Sequence, residues 1–153
     1  MTKDNYIFYE YNHKYSSAKV FMIFYLGGKS MDLNEFYQSM NVDFHIVLQR
    51  LLRKNLILKY FQMFLNDDSF KNLQEAMKSH DGSLAFRSAH TLKGLCLNLE
   101  FQSVFPMLYQ LTDALRGNEV TIEAEKLFEE FSHLYFQLIH NIQSVLETES
   151  GSV

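Results

Sequence analysis

His90 is followed three positions later by Lys93 and four positions later by Gly94. An imidazole is a nitrogen nucleophile that can carry protons or a transferred group near neutral pH. On a helix, positions i, i+3 and i+4 lie on one side. A lysine ammonium at i+3 can therefore reach an anion, such as a phosphoryl group, held on the ring. A glycine at i+4 leaves open space one turn further along, so another molecule can approach the imidazole with no side chain in its way. Phe86, Arg87 and Leu97 lie on the same side. The two apolar residues can form a docking rim, and Arg87 is either a supporting cation or a solvated surface charge.

The other candidate groups are weaker. His133 and His140 are seven apart on one stretch, and Glu130 stands three before His133. That Glu-x-x-His spacing suits a metal bundle only when a second such pair faces it, and the other instance, Glu10 to His13, lies in the weakly periodic N-terminal stretch. These histidines are read as solvated or hydrogen-bonded. His45 and His80 lack companions at ligand spacing. Gly27-Gly28-Lys29-Ser30 has the Lys-Ser end of a phosphate loop but not its earlier glycine. No ATP site and no metal site are expected. The single cysteine, Cys96, excludes an internal disulfide.

The chemistry depends on a helix over residues 84–99. At 100° per residue, Ala85, Ala89, Leu92, Leu95, Cys96 and Leu99 fall within about 60° of Leu92, forming an inward stripe. Phe86, Arg87, His90, Lys93, Gly94 and Leu97 take the opposite face. A mid-helix glycine costs roughly 1 kcal/mol relative to alanine. On an outward face it gives no packing in return, so Gly94 requires another explanation.

The rest of the chain reads as helices too. Only one proline and six glycines interrupt 153 residues. Asp32 is a candidate N-cap, with Glu35 completing a capping box, for a helix over 32–40. Helices are expected over 43–53, from an Asn55 cap to about Leu65, and over 69–79, 84–99, 103–116 and 119–147. Pro106 is tolerable only in a first turn. Short connections between amphipathic helices predict antiparallel neighbours. The expected fold is all-α: an up-down antiparallel four-helix bundle over residues 31–147, with one or two extra short N-terminal helices and a polar, frayed tail at 148–153.

Residues 1–30 are rich in Tyr, Phe, Asn and Lys with weak periodicity. Two readings stand open. Gly27-Gly28-Lys29 before Met31 can be encoded by a purine run resembling a ribosome-binding site, which would put the native start at Met31. Alternatively the segment is a true N-terminal extension. The net charge of −4 asks for no nucleic-acid partner. The longest apolar run, Val20 to Leu26, is far short of the roughly 20 residues that span a bilayer. No membrane association and a cytoplasmic location are expected.

Ala89-His90-Thr91-Leu92-Lys93-Gly94 resembles the His-x-Leu/Ile-Lys-Gly signature of histidine phosphotransfer (HPt) domains of bacterial phosphorelays. The resemblance extends through Phe64-Leu65-Asn66-Asp67-Asp68-Ser69-Phe70 and Leu111-Thr112-Asp113-Ala114-Leu115-Arg116, covering about residues 31–147. Two positions depart from the pattern: Glu100 stands where glycine is common, and Leu95 where a small residue is common.

The resemblance implies a phosphocarrier without its own ATP site. His90 would accept a phosphoryl group from a receiver-domain aspartate and pass it to another receiver, with Lys93 stabilising the group and Gly94 clearing the approach. Phe86, Arg87 and Leu97 would meet the partner. The implied partners are receiver domains of response regulators and a hybrid sensor kinase, with Mg²⁺ in the receiver and a monomeric carrier. The alternative is a helical interaction module that docks response regulators without transferring phosphate.

Overall fold

The computed structural model describes residues 30–151 of the chain. Every regular element among them is an α-helix: α1 (Leu33–Ser39), α2 (Phe44–Leu51), α3 (Lys54–Leu65), α4 (Ser69–Ser79), α5 (Gly82–Asn98), α6 (Phe105–Ala114) and α7 (Ile122–Ser150). The expectations for residues 1–29 and 152–153 lie outside the described residues.

Local chemistry sets most boundaries. Asp32 accepts from the Glu35 N–H at 2.8 Å, and the Glu35 carboxylate accepts from the Asp32 N–H at 3.0 Å, forming the expected capping box of α1. Asp43, Asp81 and Thr121 cap α2, α5 and α7 through their side chains. Pro106 sits in the first turn of α6, where its missing N–H costs nothing. His80, in the left-handed conformation (φ 55°), ends α4 and leaves only Asp81 before α5. So short a link makes the two helices antiparallel neighbours.

Consecutive packing of α4 on α5, α5 on α6 and α6 on α7 builds the up-down four-helix bundle. The last helix has 29 residues against 17 in α5. At 1.5 Å per residue it is about 18 Å longer than α5. α3 and α1 pack against it, and α2 links them. Aromatic packing joins the two ends. Phe70 of α4 stacks on Tyr135 of α7 at 3.8 Å, while Phe64 meets Phe101 at 5.0 Å and Tyr135 at 6.1 Å. Phe36 and Phe61 close on Phe101 at 5.8 and 5.5 Å.

α2 ends at Leu51, α6 runs over Phe105–Ala114 and α7 starts at Ile122, each two or three residues inside the expected span, and three further boundaries differ for reasons visible in the fold. Asn55 does not cap α3. Arg53 holds that position without a side-chain bond, and Asn55 lies in the first turn. The start is set instead across the fold: the Glu149 carboxylate meets Lys54 Nζ at 2.6 Å and accepts from the Leu33 N–H at 3.2 Å. The same contacts extend α7 beyond the expected residue 147 to Ser150, because they bury Glu149 where a frayed tail was expected. α5 begins two residues early because Asp81 accepts from the Leu84 N–H, which draws Gly82 into the first turn. A Cβ at Gly82 would lie 2.0 Å from the Asn118 carbonyl oxygen, so only glycine allows that approach.

Candidate functional site

Helix α5 presents two faces. Ala85, Ala89, Leu92 and Cys96 have no exposed surface, and Leu99 is buried. Leu95, expected in the same stripe, is only half-buried against the core. Ser88 is buried beside them and was not expected there. Cys96 is sealed in: burial, with the Asp67 charge as a lesser cause, pushes its thiol up to about 12.

The opposite face carries the candidate residues. His90 and Arg87 are exposed, and Leu97 is 48% exposed. Phe86, one turn before His90, brings its ring to 6.0 Å from the imidazole at 31°. It also leans on the core, so it is a half-buried shelf for the imidazole and not a fully wet patch. A Cβ at Gly94 would meet nothing within 4 Å. No packing in the fold requires glycine there, and the space beside the histidine is open. Helical geometry brings Phe86, His90, Gly94 and Leu97 into one strip along α5.

Lys93 has a partner the sequence reading missed. Its Nζ lies 5.2 Å from the ring centroid of Tyr109 on α6. Tyr109 is 53% exposed, and Phe105 flanks it at 6.4 Å. A signal was present: Phe105 and Tyr109 form an aromatic pair at i and i+4, off the inward stripe of Leu108, Leu111 and Leu115.

The end of α5 is tied by the N-terminal helices. Tyr37 of α1 donates from its hydroxyl to the Leu99 carbonyl at 2.9 Å. Arg50 of α2 donates to the Asn98 carbonyl and pairs with Glu100 at 2.7 Å. These contacts satisfy carbonyls that a helix end leaves orphaned. Burial first, then the Glu100 charge, raises the Tyr37 phenol well above its ordinary value, which keeps it a donor.

Among the described residues, no group of three or more His, Cys, Asp or Glu side chains is placed to hold a metal ion. His133 and His140 both lie on α7 and each has an interaction partner. No helix among the described residues is long and apolar enough to cross a membrane.

No curated protein and no solved structure matches the chain. A family model does. It spans residues 59–148, from the middle of α3 almost to the end of α7, and so takes in the whole bundle with the His90 face of α5 at its centre. Over that span, and by that model, the chain belongs to the Hpt domain family.

Proposed function

We propose that the chain is a histidine phosphocarrier and that His90 is its phosphoacceptor. Membership of the Hpt family implies histidine phosphotransfer within a phosphorelay and interaction with receiver domains.

The observation that carries it is the open space at Gly94. A mid-helix glycine whose absent Cβ would touch nothing leaves a clear path to an exposed imidazole one turn away. A receiver presents a phosphorylated aspartate along that path. The neutral Nε2 of His90 attacks phosphorus in line. An N–P bond forms, the aspartyl O–P bond breaks, and its electron pair leaves on the carboxylate, with no proton required to move. In the onward step a carboxylate oxygen of a second receiver attacks phosphorus and the N–P bond breaks. Positioning and charge neutralisation supply most of the catalysis. Lys93 meets the charge on the phosphoryl oxygens, while Phe86, Arg87 and Leu97 seat the partner. Mg²⁺ is expected in the receiver, where it would neutralise phosphate charge.

In this account the protein works as a cytoplasmic monomer, loaded through a hybrid sensor kinase, with residues 31–147 as the transferring unit. The test is transfer of label from a phosphorylated receiver domain. The wild-type chain should acquire acid-labile, base-stable phosphate, and His90→Gln should acquire none. A wild-type chain that binds the receiver and takes up no phosphate would instead favour a docking module.

A further inference from the structure

Tyr109 has no part in the transfer chemistry above, yet it is the residue of α6 that meets Lys93. Core packing does not account for it, because α6 buries Leu108, Leu111 and Thr112, and Tyr109 is more than half exposed. Lys93 is only partly exposed, and among the described residues no carboxylate forms an ion pair with it. An aromatic face takes that place.

The difference matters for a group that must meet a phosphoryl anion. A carboxylate at Lys93 would hold the ammonium more firmly and offset its charge. An aromatic face holds a cation through its quadrupole, weakly at an exposed site, and leaves the full charge available. It also restricts a side chain rich in rotamers, so less freedom is lost when the ammonium moves onto the phosphoryl group. Phe105 stands beside Tyr109 and backs the ring.

We propose that Tyr109 is the positioning residue for Lys93: its ring holds the ammonium at the rim of the His90 face and keeps it ordered while it meets the phosphoryl group arriving at His90. The inference rests on the reading of His90 as the phosphoacceptor. Tyr109 itself forms no bond to phosphorus and exchanges no proton, and Lys93 stays protonated throughout.

The test uses the full chain as wild type, Tyr109→Leu, Tyr109→Phe, Lys93→Ala and the Lys93→Ala/Tyr109→Leu double variant. The phosphoryl donor is phosphoramidate, whose P–N bond breaks to release ammonia as the histidine N–P bond forms. So small a donor has no docking surface, so a loss of partner binding cannot mimic the effect. Tyr109→Leu should take up phosphate about two- to fivefold more slowly, the range of an exposed cation–ring contact. Tyr109→Phe should match wild type, and Tyr109→Leu should add nothing to Lys93→Ala. In NMR spectra of the unphosphorylated chain, the ε-methylene protons of Lys93 should be shifted upfield by the ring in wild type and Tyr109→Phe, and not in Tyr109→Leu. A Tyr109→Leu rate equal to or faster than wild type, or an equal loss in the Lys93→Ala background, overturns the inference and leaves His90 untouched. Wild-type chain that gains no phosphate on His90 from either phosphoramidate or a phosphorylated receiver defeats the transfer reading and this inference together.

Discussion

The Arg50 guanidinium and the Glu100 carboxylate meet at 2.7 Å, Nη1 to Oε1, where the chain leaves the histidine-bearing helix. Glu100 holds φ 56°, a left-handed conformation that costs most residues roughly 1–2 kcal/mol and glycine nothing. The glutamate offsets part of that cost by pairing with an arginine that also caps the Asn98 carbonyl. The turn itself keeps its helix-ending bonds, from the Glu100 N–H to the Leu97 carbonyl and from the Phe101 N–H to the Cys96 carbonyl.

An order of stabilities follows. Glu100→Gly loses a half-exposed ion pair worth at most about 1 kcal/mol and relieves about as much strain, so it should stay within about 1 kcal/mol of wild type. Glu100→Ala loses the pair and keeps the strain, so it should be the less stable of the two by about 1 kcal/mol. Urea unfolding followed by circular dichroism measures the order. Glu100→Ala as stable as Glu100→Gly would show that the left-handed turn carries no strain.

Gly94 should separate folding from partner contact. Because an added Cβ meets nothing, Gly94→Ala should stabilise the chain by roughly 1 kcal/mol, the ordinary helix-propensity gain. Gly94→Leu should fold as well, yet receive phosphate from a receiver much more slowly. Thermal melting and receiver-dependent transfer, measured on the same samples, give both numbers. A Gly94→Ala variant that melts lower than wild type would make the glycine structural.

Gly82 is the opposite case. Its missing Cβ leaves room for the Asn118 carbonyl oxygen, which belongs to backbone and cannot rotate away. Gly82→Ala should cost about 1–3 kcal/mol, the usual range for overpacking. The same urea titration reads it, and an unchanged midpoint would contradict the close approach of that loop to α5.

The bundle was legible because its helices are amphipathic and their connections short. The boundaries of α4 follow from its stripe of Phe70, Leu73, Ala76 and Met77 between the Asp67-Asp68 turn and the left-handed turn at His80. The outward face of α5 was legible for the same reason, since one wheel assigns both the core residues and the candidate site. Contacts made across the fold were not legible. The start of α3 is tied to Glu149, which also accepts from the Leu33 N–H 116 residues away in sequence. The Lys93–Tyr109 contact depends on how α5 and α6 are juxtaposed. Local periodicity contains no term for either.

The buried thiol sets an alkaline limit on stability. Cys96 is raised from 9.0 to about 12 in the folded chain. Below pH 9 both states keep the proton and the group has no effect on stability. Between about pH 9 and 12 the unfolded state loses its proton and the folded state does not, so stability falls as pH rises. Tyr37 adds to the same limb above its ordinary value of 10.0. Urea midpoints measured from pH 7 to 11 should be flat to about pH 9 and then decline, and Cys96→Ala should decline less steeply. A chain whose Cys96 reacts with a thiol reagent at pH 8 as fast as the unfolded chain does would contradict this.

Phosphate uptake stands or falls on His90. Wild type and His90→Gln are each mixed with a receiver domain carrying labelled aspartyl phosphate, and label on the chain is followed with time. The account predicts acid-labile label on wild type, none on His90→Gln, and the same helical spectrum and melting point for both. Label reaching His90→Gln at the wild-type rate would contradict it.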